Sequence, residues 1–132
     1  MQKRSQPATE CILVVDDHPA AREVAFIILR RHGYRVLTAN SADEARSMAE
    51  KETSIHLLLT DVEMPVMRGD KLAQWFRVHR PGTSIVFMSG NPMHREQLEP
   101  CRFVEKPFYD IKMLLATIRA ALDERRMNEP MP

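Results

Sequence analysis

The sequence predicts an α/β domain in which one doubly wound, five-stranded parallel sheet is flanked by five helices. Two observations support this fold class. Short apolar runs alternate along the chain with segments in which apolar residues recur at helical spacing. Such alternation implies right-handed crossovers, which place helices on both faces of a parallel sheet. A chain of 132 residues can bury a core of this kind without disulfides or a structural metal.

The first strand and helix are indicated by an apolar run and by two residues that favour helix ends. Residues 11–15 form a continuous apolar run, which is typical of a strand covered on both faces. Pro19 suits the first turn of a helix, and Gly33 is placed to end that helix. A second strand is expected over 35–39.

The middle of the chain repeats the alternation. Ser41 and Glu44 have the capping-box spacing, which predicts a second helix running to about Lys51. A third strand is expected over about 55–60. The third helix carries Leu72, Trp75 and Phe76 and ends before the Pro-Gly pair at 81–82.

The last two strands and helices follow the same pattern. A fourth strand is expected over about 84–88, and the Asn-Pro pair at 91–92 predicts an N-cap and first turn. The short fourth helix should reach about Leu98. A fifth strand over about 101–105 precedes a helix over about 109–126, which has the clearest helical period.

These elements define one domain over 11–126, a flexible N-terminal lead over 1–10 and a C-terminal tail over 127–132. The 19 basic and 18 acidic residues nearly cancel, which argues against direct binding of nucleic acid. No apolar run approaches membrane-spanning length, and the start of the chain lacks the apolar core of a secretory signal. The two cysteines have no metal-binding or redox spacing, so we expect a protein of the reducing cytoplasm.

Acidic residues follow two of the predicted strands. Asp16 and Asp17 close the first apolar run, and Asp61 follows the third. Because the carboxyl ends of parallel strands lie side by side, these carboxylates should converge. A cluster of negative charges requires raised pKa values or a cation, and hard carboxylate oxygens suit Mg²⁺ or Mn²⁺.

Two further polar residues complete this edge of the predicted sheet. Ser89 follows the fourth strand and Lys106 follows the fifth. A lysine ammonium and a serine hydroxyl can each bind an oxygen of a phosphoryl group. With a cation present, Asp61 could act as a nucleophile that forms an acyl phosphate.

Each of these residues alone has an ordinary explanation. An aspartate after a strand is often a helix cap, a serine there is often a turn former, and a lysine before proline is often a solvated loop residue. Their occurrence in order, each at the same end of a strand, favours a single site.

The residues of this site and their neighbours resemble the CheY-like receiver domains of response regulators in two-component phosphorelay signalling. The resemblance covers about residues 10–125. The motifs that carry it are Val14-Val15-Asp16-Asp17, Leu59-Thr60-Asp61-Val62-Glu63-Met64-Pro65, Gly69, Phe87-Met88-Ser89-Gly90 and Val104-Glu105-Lys106-Pro107-Phe108.

The resemblance implies a flavodoxin-like strand order of 2-1-3-4-5 and a phosphorylation site. Asp61 would be the phosphoacceptor, and its donor would be a phosphohistidine on a histidine kinase or histidine phosphotransfer protein. Asp17, Asp61 and the main-chain carbonyl of Glu63 would bind Mg²⁺ directly, while Asp16 would act mostly through water.

The resemblance also implies a switch. Lys106 would pair with the phosphoryl group and would precede a cis peptide bond to Pro107. Ser89 would move toward the phosphoryl group, and Phe103 would follow it inward. Ser89 stands where threonine is more usual in the family, and Phe103 has no hydroxyl, so it can signal only through the packing of its ring.

The expected output is a protein contact. The fourth helix, fifth strand and last helix would form the responding surface for a downstream protein, and a homodimer could form through the same face. In the family, the positions of Glu63 and Asn91 tune hydrolysis of the acyl phosphate, although a loop residue and a helix cap would also explain them. We expect no membrane insertion and no turnover of an external substrate.

Three alternatives remain open at this stage. A magnesium-dependent phosphohydrolase also uses an aspartate nucleophile, but usually after the first strand and with a second aspartate two residues on. A flavodoxin-like cofactor binder would need a phosphate loop after the first strand, where this chain has acidic residues. A receiver-shaped interaction module could work without phosphorylation.

Overall fold

A computed structural model describes residues 9–52, 54–98 and 100–127 and contains the predicted alternation of strands and helices. The predicted lead over 1–10 and tail over 127–132 lie mostly outside the described residues. In chain order the elements are β1 (Cys11–Val15), α1 (Pro19–Arg31), β2 (Arg35–Ala39), α2 (Ala42–Lys51), β3 (Leu57–Asp61), α3 (Gly69–His79), β4 (Ser84–Ser89), α4 (Met93–Gln97), β5 (Arg102–Glu105) and α5 (Ile111–Met127).

The five strands form one parallel sheet with the order β2-β1-β3-β4-β5, which confirms the predicted topology. In the register of β1 and β3, Val15 is opposite Thr60. The residues that follow these two positions, Asp16 and Asp61, therefore lie side by side at the carboxyl edge of the sheet.

The core lies on both faces of the sheet. Every residue of β1 and β3 is buried, which explains why these strands are continuous apolar runs in the sequence. Alternate residues of β1, such as Ile12 and Val14, pack with α1 and α5. The intervening Leu13 and Val15 pack with α2 and α3.

Local capping signals predicted the helix starts well. The Ser41 hydroxyl accepts a hydrogen bond from the Glu44 backbone N–H at 3.1 Å, as the capping box requires. The Glu44 carboxylate accepts from the N–H of Asn40 at 2.6 Å. At the end of α1, Gly33 has a φ of 93°, a left-handed conformation that favours glycine.

Element boundaries differ from the prediction by one or two residues. β3 begins at Leu57, although Ile55 already packs against the core and the His56 N–H donates to the Cys11 carbonyl just before it. β4 extends to Ser89, and β5 begins at Arg102.

Both helices of the C-terminal part also shift at their starts. α5 begins at Ile111, where the Asp110 side chain accepts from the Met113 N–H at 3.0 Å, and it extends to Met127. α4 begins at Met93, so its N-cap position is Pro92 and not the predicted Asn91. The Asn91 side chain still accepts a hydrogen bond from the Met93 N–H at 3.0 Å. Among the described residues, no helix has the length and apolar character needed to cross a membrane.

Candidate functional site

Four side chains converge at the carboxyl ends of β1 and β3. Asp16, Asp17, His18 and Asp61 each contribute one potential ligand atom, and these atoms lie within 4.8 Å of one another. Asp16 is fully buried and Asp61 is only 4% exposed. The structure therefore brings together the three aspartates that the sequence singled out.

His18 is a member of this cluster that the sequence reasoning missed. Its ring is exposed, and its Nδ1 lies 3.3 Å from Oδ1 of Asp16 and 3.4 Å from Oδ1 of Asp17. The only sequence signal was its position directly after the acidic pair.

The ammonium group of Lys106, the residue that follows β5, contacts two of the carboxylates. Its Nζ is 2.8 Å from Oδ2 of Asp16 and 3.3 Å from Oδ2 of Asp61. The backbone N–H of Lys106 donates to the Ser89 carbonyl, which continues the β4–β5 ladder to this point. The peptide bond between Lys106 and Pro107 is cis, as the family resemblance implied.

The electrostatic environment raises the pKa of Asp61 to about 6. Burial is the main cause, because it disfavours the charged carboxylate. Lys106 opposes the rise, while the negative charges of Asp16 and Asp17 add to it. The carboxyl group is thus still mostly ionised at neutral pH, and the ionised form is the one that can act as a nucleophile. Ionisation in this buried position lowers the free energy of unfolding.

The donor set fits a hard divalent cation. Three carboxylates supply oxygen ligands, which Mg²⁺ and Mn²⁺ prefer. Among the described residues, Oδ1 of Asp17 is a buried oxygen without a hydrogen-bond partner. A cation bound here would satisfy that oxygen and offset the repulsion between the carboxylates.

Gly69 is needed because the backbone of Asp61 passes directly beside it. The Gly69 N–H donates to the Val62 carbonyl at 2.8 Å, which closes the loop between β3 and α3. A Cβ atom at position 69 would lie 1.9 Å from the Asp61 carbonyl oxygen. Any side chain there would displace the residue that carries the acidic group.

The Ser89 hydroxyl is hydrogen-bonded on the side of the site that faces α4. Ser89 is 4% exposed, and its Oγ accepts from the Asn91 N–H at 2.9 Å. The same oxygen lies 2.6 Å from Nδ1 of His94. The structure thus places Ser89 at the predicted edge of the sheet, with its hydroxyl bonded to a histidine of α4.

His94 is the second functional candidate that the sequence reasoning missed. It is 3% exposed, and its Nε2 lies 3.6 Å from Oε2 of Glu63. The Glu63 side chain is largely exposed and also lies 4.0 Å from the Arg68 guanidinium. No motif marked His94, because its importance depends on how α4 packs against the loop after β3.

Phe103 of β5 is already buried, with 6% of its surface exposed. Its ring packs in a small cluster with Val62, Ala73 and Phe87. The guanidinium of Arg95, on α4, lies 4.9 Å from the ring centroid. The ring therefore packs with Val62, the residue that follows Asp61, and contacts a side chain of α4.

Comparisons with known proteins agree with this architecture. Residues 12–119 match the family model of the response regulator receiver domain. Over 85 residues the chain is 35% identical to the autoinducer 1 sensor kinase/phosphatase LuxN of Vibrio campbellii, covering 64% of this chain and 10% of LuxN. The chain thus spans a small part of that curated relative.

Solved structures give the same result. A CheY-like receiver domain from Methanospirillum hungatei is 28% identical, with a TM-score of 0.81 and coverage of 92% of this chain and 100% of that one. TrrA from Thermotoga maritima, solved in complex with Mg²⁺-BeF, is 26% identical, with a TM-score of 0.78 and coverage of 86% and 99%. The chain belongs to the response regulator receiver domain family of two-component phosphorelay signalling.

Proposed function

We propose that this receiver domain accepts a phosphoryl group on Asp61 from a phosphohistidine of a histidine kinase or histidine phosphotransfer protein. The observation that carries this proposal is the position of the Asp61 carboxylate. It is buried between the Lys106 ammonium, 3.3 Å away, and the carboxylates of Asp16 and Asp17. A nucleophile, a phosphoryl-binding cation and a metal-binding set thus share one edge of the sheet.

Asp16, Asp17, Asp61 and the main-chain carbonyl of Glu63 would hold the Mg²⁺ or Mn²⁺ ion. When bound, that ion neutralises charge on the carboxylates and on the phosphoryl oxygens. The Mg²⁺-BeF complex of TrrA, a protein with the same fold, supports this assignment.

In the transfer itself, an oxygen of Asp61 forms the bond to phosphorus as the P–N bond to the donor imidazole breaks. The bonding electron pair stays with the imidazole nitrogen. Lys106 binds one phosphoryl oxygen through its ammonium group, and the Ser89 hydroxyl donates to another. The domain promotes its own phosphorylation and turns over no external substrate.

The response would be read on the face formed by α4, β5 and α5. Ser89 and Phe103 connect that face to the acidic site, and Phe103 also contacts Arg95 on α4. Exposed apolar side chains on this side, including Met93, Tyr109 and Met113, suit the docking of a downstream protein or a second copy of the domain. We place both the phosphotransfer and the docking in the cytoplasm, with no direct contact between this domain and nucleic acid.

Glu63 and Asn91 would set the lifetime of the acyl phosphate. Both side chains are exposed near the site, so they can position or exclude the attacking water. Decay of the phosphorylated protein should differ between Glu63→Ala, Asn91→Ala and the unaltered domain. Equal decay rates in all three proteins would remove this role.

The proposal is tested by intact-mass spectrometry. With Mg²⁺ and a small acyl-phosphate donor, the mass should rise by one phosphoryl group. Asp61→Asn should abolish the rise, whereas the control Asp43→Asn, at an exposed position of α2, should keep it.

Two results would contradict this function. An unmodified wild-type protein would favour an interaction module that works without phosphorylation. Repeated turnover of small phosphomonoesters would favour a phosphohydrolase instead.

A further inference from the structure

We propose that His94 is a positioning residue that holds the Ser89 hydroxyl in the unphosphorylated state, and that phosphorylation exchanges His94 for the phosphoryl group. This inference rests on the function proposed above for Asp61. It concerns the stability of the unphosphorylated conformation, which sets how much free energy the phosphoryl group must supply to switch the domain.

The contact is short, buried and specific. Ser89 Oγ and His94 Nδ1 are 2.6 Å apart, and both residues are at least 96% buried. The Asn91 N–H already donates to Ser89 Oγ at 2.9 Å. A serine hydroxyl has a single proton, so Ser89 can donate to one acceptor at a time.

The opposite side of the imidazole indicates which way the proton points. His94 Nε2 faces the Glu63 carboxylate at 3.6 Å, an environment that favours a proton on Nε2. Nδ1 is then an acceptor, and Ser89 donates to it. The single hydroxyl proton of Ser89 is therefore donated to His94 and is not available to a phosphoryl oxygen.

This chain of contacts joins three segments that must move together. Ser89 ends β4, His94 lies in the five-residue helix α4, and Glu63 lies in the loop after Asp61. When Ser89 turns to the phosphoryl group, buried Nδ1 loses its donor, which is unfavourable unless His94 moves. Loss of the contact therefore favours a shift of α4, and its presence favours the unphosphorylated arrangement.

The test uses Mg²⁺ with beryllium fluoride as a stable phosphoryl analogue, with the dissociation constant measured by calorimetry. Leucine in His94→Leu fills similar space but accepts no hydrogen bond, so the unliganded state loses its stabilising contact. Affinity for the analogue should rise about three- to tenfold, the effect of one hydrogen bond. His32→Leu, an exposed histidine at the end of α1, should leave affinity unchanged.

A second set of measurements separates positioning from a general effect on packing. In a Ser89→Ala background, His94→Leu should no longer change the affinity. His94→Gln, whose amide oxygen can accept from Ser89, should restore wild-type affinity at least in part. The ring ¹⁵N resonances of His94 should show an acceptor Nδ1 in the free protein and should shift when the analogue binds.

The outcomes distinguish the two proposals. If wild-type protein fails to bind the analogue, the function proposed for Asp61 is wrong and this inference falls with it. If wild-type protein binds but His94→Leu binds equally or more weakly, only the role of His94 is overturned. If His94→Leu does not fold, the His94→Gln affinity and the wild-type ring resonances decide the question.

Discussion

Replacing Asp61 by asparagine should stabilise the metal-free domain at neutral pH, although it should abolish phosphorylation. The Asp61 side chain is 6% exposed, and its pKa rises from 3.8 to about 6, mainly through burial. One pKa unit corresponds to about 1.4 kcal/mol, so ionising this carboxylate costs about 3 kcal/mol of folding stability. Lys106 loses one partner in the variant but keeps Asp16, so we expect a net gain of about 1–3 kcal/mol.

The sign of the pH dependence follows from the same shift. Between pH 3.8 and about 6 the folded state binds more protons than the unfolded state. The free energy of unfolding contributed by Asp61 is therefore fully present below pH 3.8 and is lost as pH rises through about 6. The asparagine variant does not lose stability in this way, so its free energy of unfolding should exceed that of the wild type by an amount that grows from pH 4 to pH 7.

The measurement is urea unfolding in a metal chelator at a series of pH values. The single tryptophan, Trp75, is half-buried on α3 and serves as the fluorescent probe. An Asp61→Asn variant that is less stable than wild type at pH 7 would refute the reasoning. A stability difference that stays constant from pH 4 to pH 7 would do the same.

Three further outcomes are expected from the structure. Mg²⁺ at about 100 times its Kd should raise the free energy of unfolding by about 2.7 kcal/mol at pH 7. The same Mg²⁺ concentration should give a smaller gain at pH 5, where Asp61 is mostly protonated. Thermal melts with and without a chelator measure this gain, and an unchanged Tm would show that no ion binds. Gly69→Ala should lower the free energy of unfolding by about 2 kcal/mol and reduce phosphorylation, because the added Cβ meets the Asp61 carbonyl. Gly82→Ala, with open space around it, should change the free energy of unfolding by less than about 0.5 kcal/mol. Equal unfolding curves for the two variants would contradict this. Val66 is an exposed, β-branched residue with a φ of 70°, a left-handed conformation that strains such a side chain. Val66→Asn should therefore raise the free energy of chemical unfolding by about 1 kcal/mol. A loss of stability would refute the assigned strain.

The order of the elements and the edge of the sheet that carries the site could both be predicted from local residue patterns. Asp16, Asp61 and Lys106 could be placed together because parallel strands bring the same ends side by side, whatever the details of packing. The caps at Ser41 and Gly33 were equally predictable, since a cap depends on a few consecutive residues. Boundaries without such a local signal, such as the start of β3, shifted by up to two residues.

Which side chains meet within that site depends on tertiary packing. It placed the Lys106 ammonium nearer to Asp16 than to Asp61 and set the burial that raises the Asp61 pKa. The structure also showed that Gly69 leaves room for the Asp61 carbonyl and that His94 Nδ1 lies 2.6 Å from the Ser89 Oγ. These contacts join segments from different elements, and their distances depend on how the loops and helices pack over the sheet. Local sequence patterns specify where each segment begins and ends, but they carry no information about those distances.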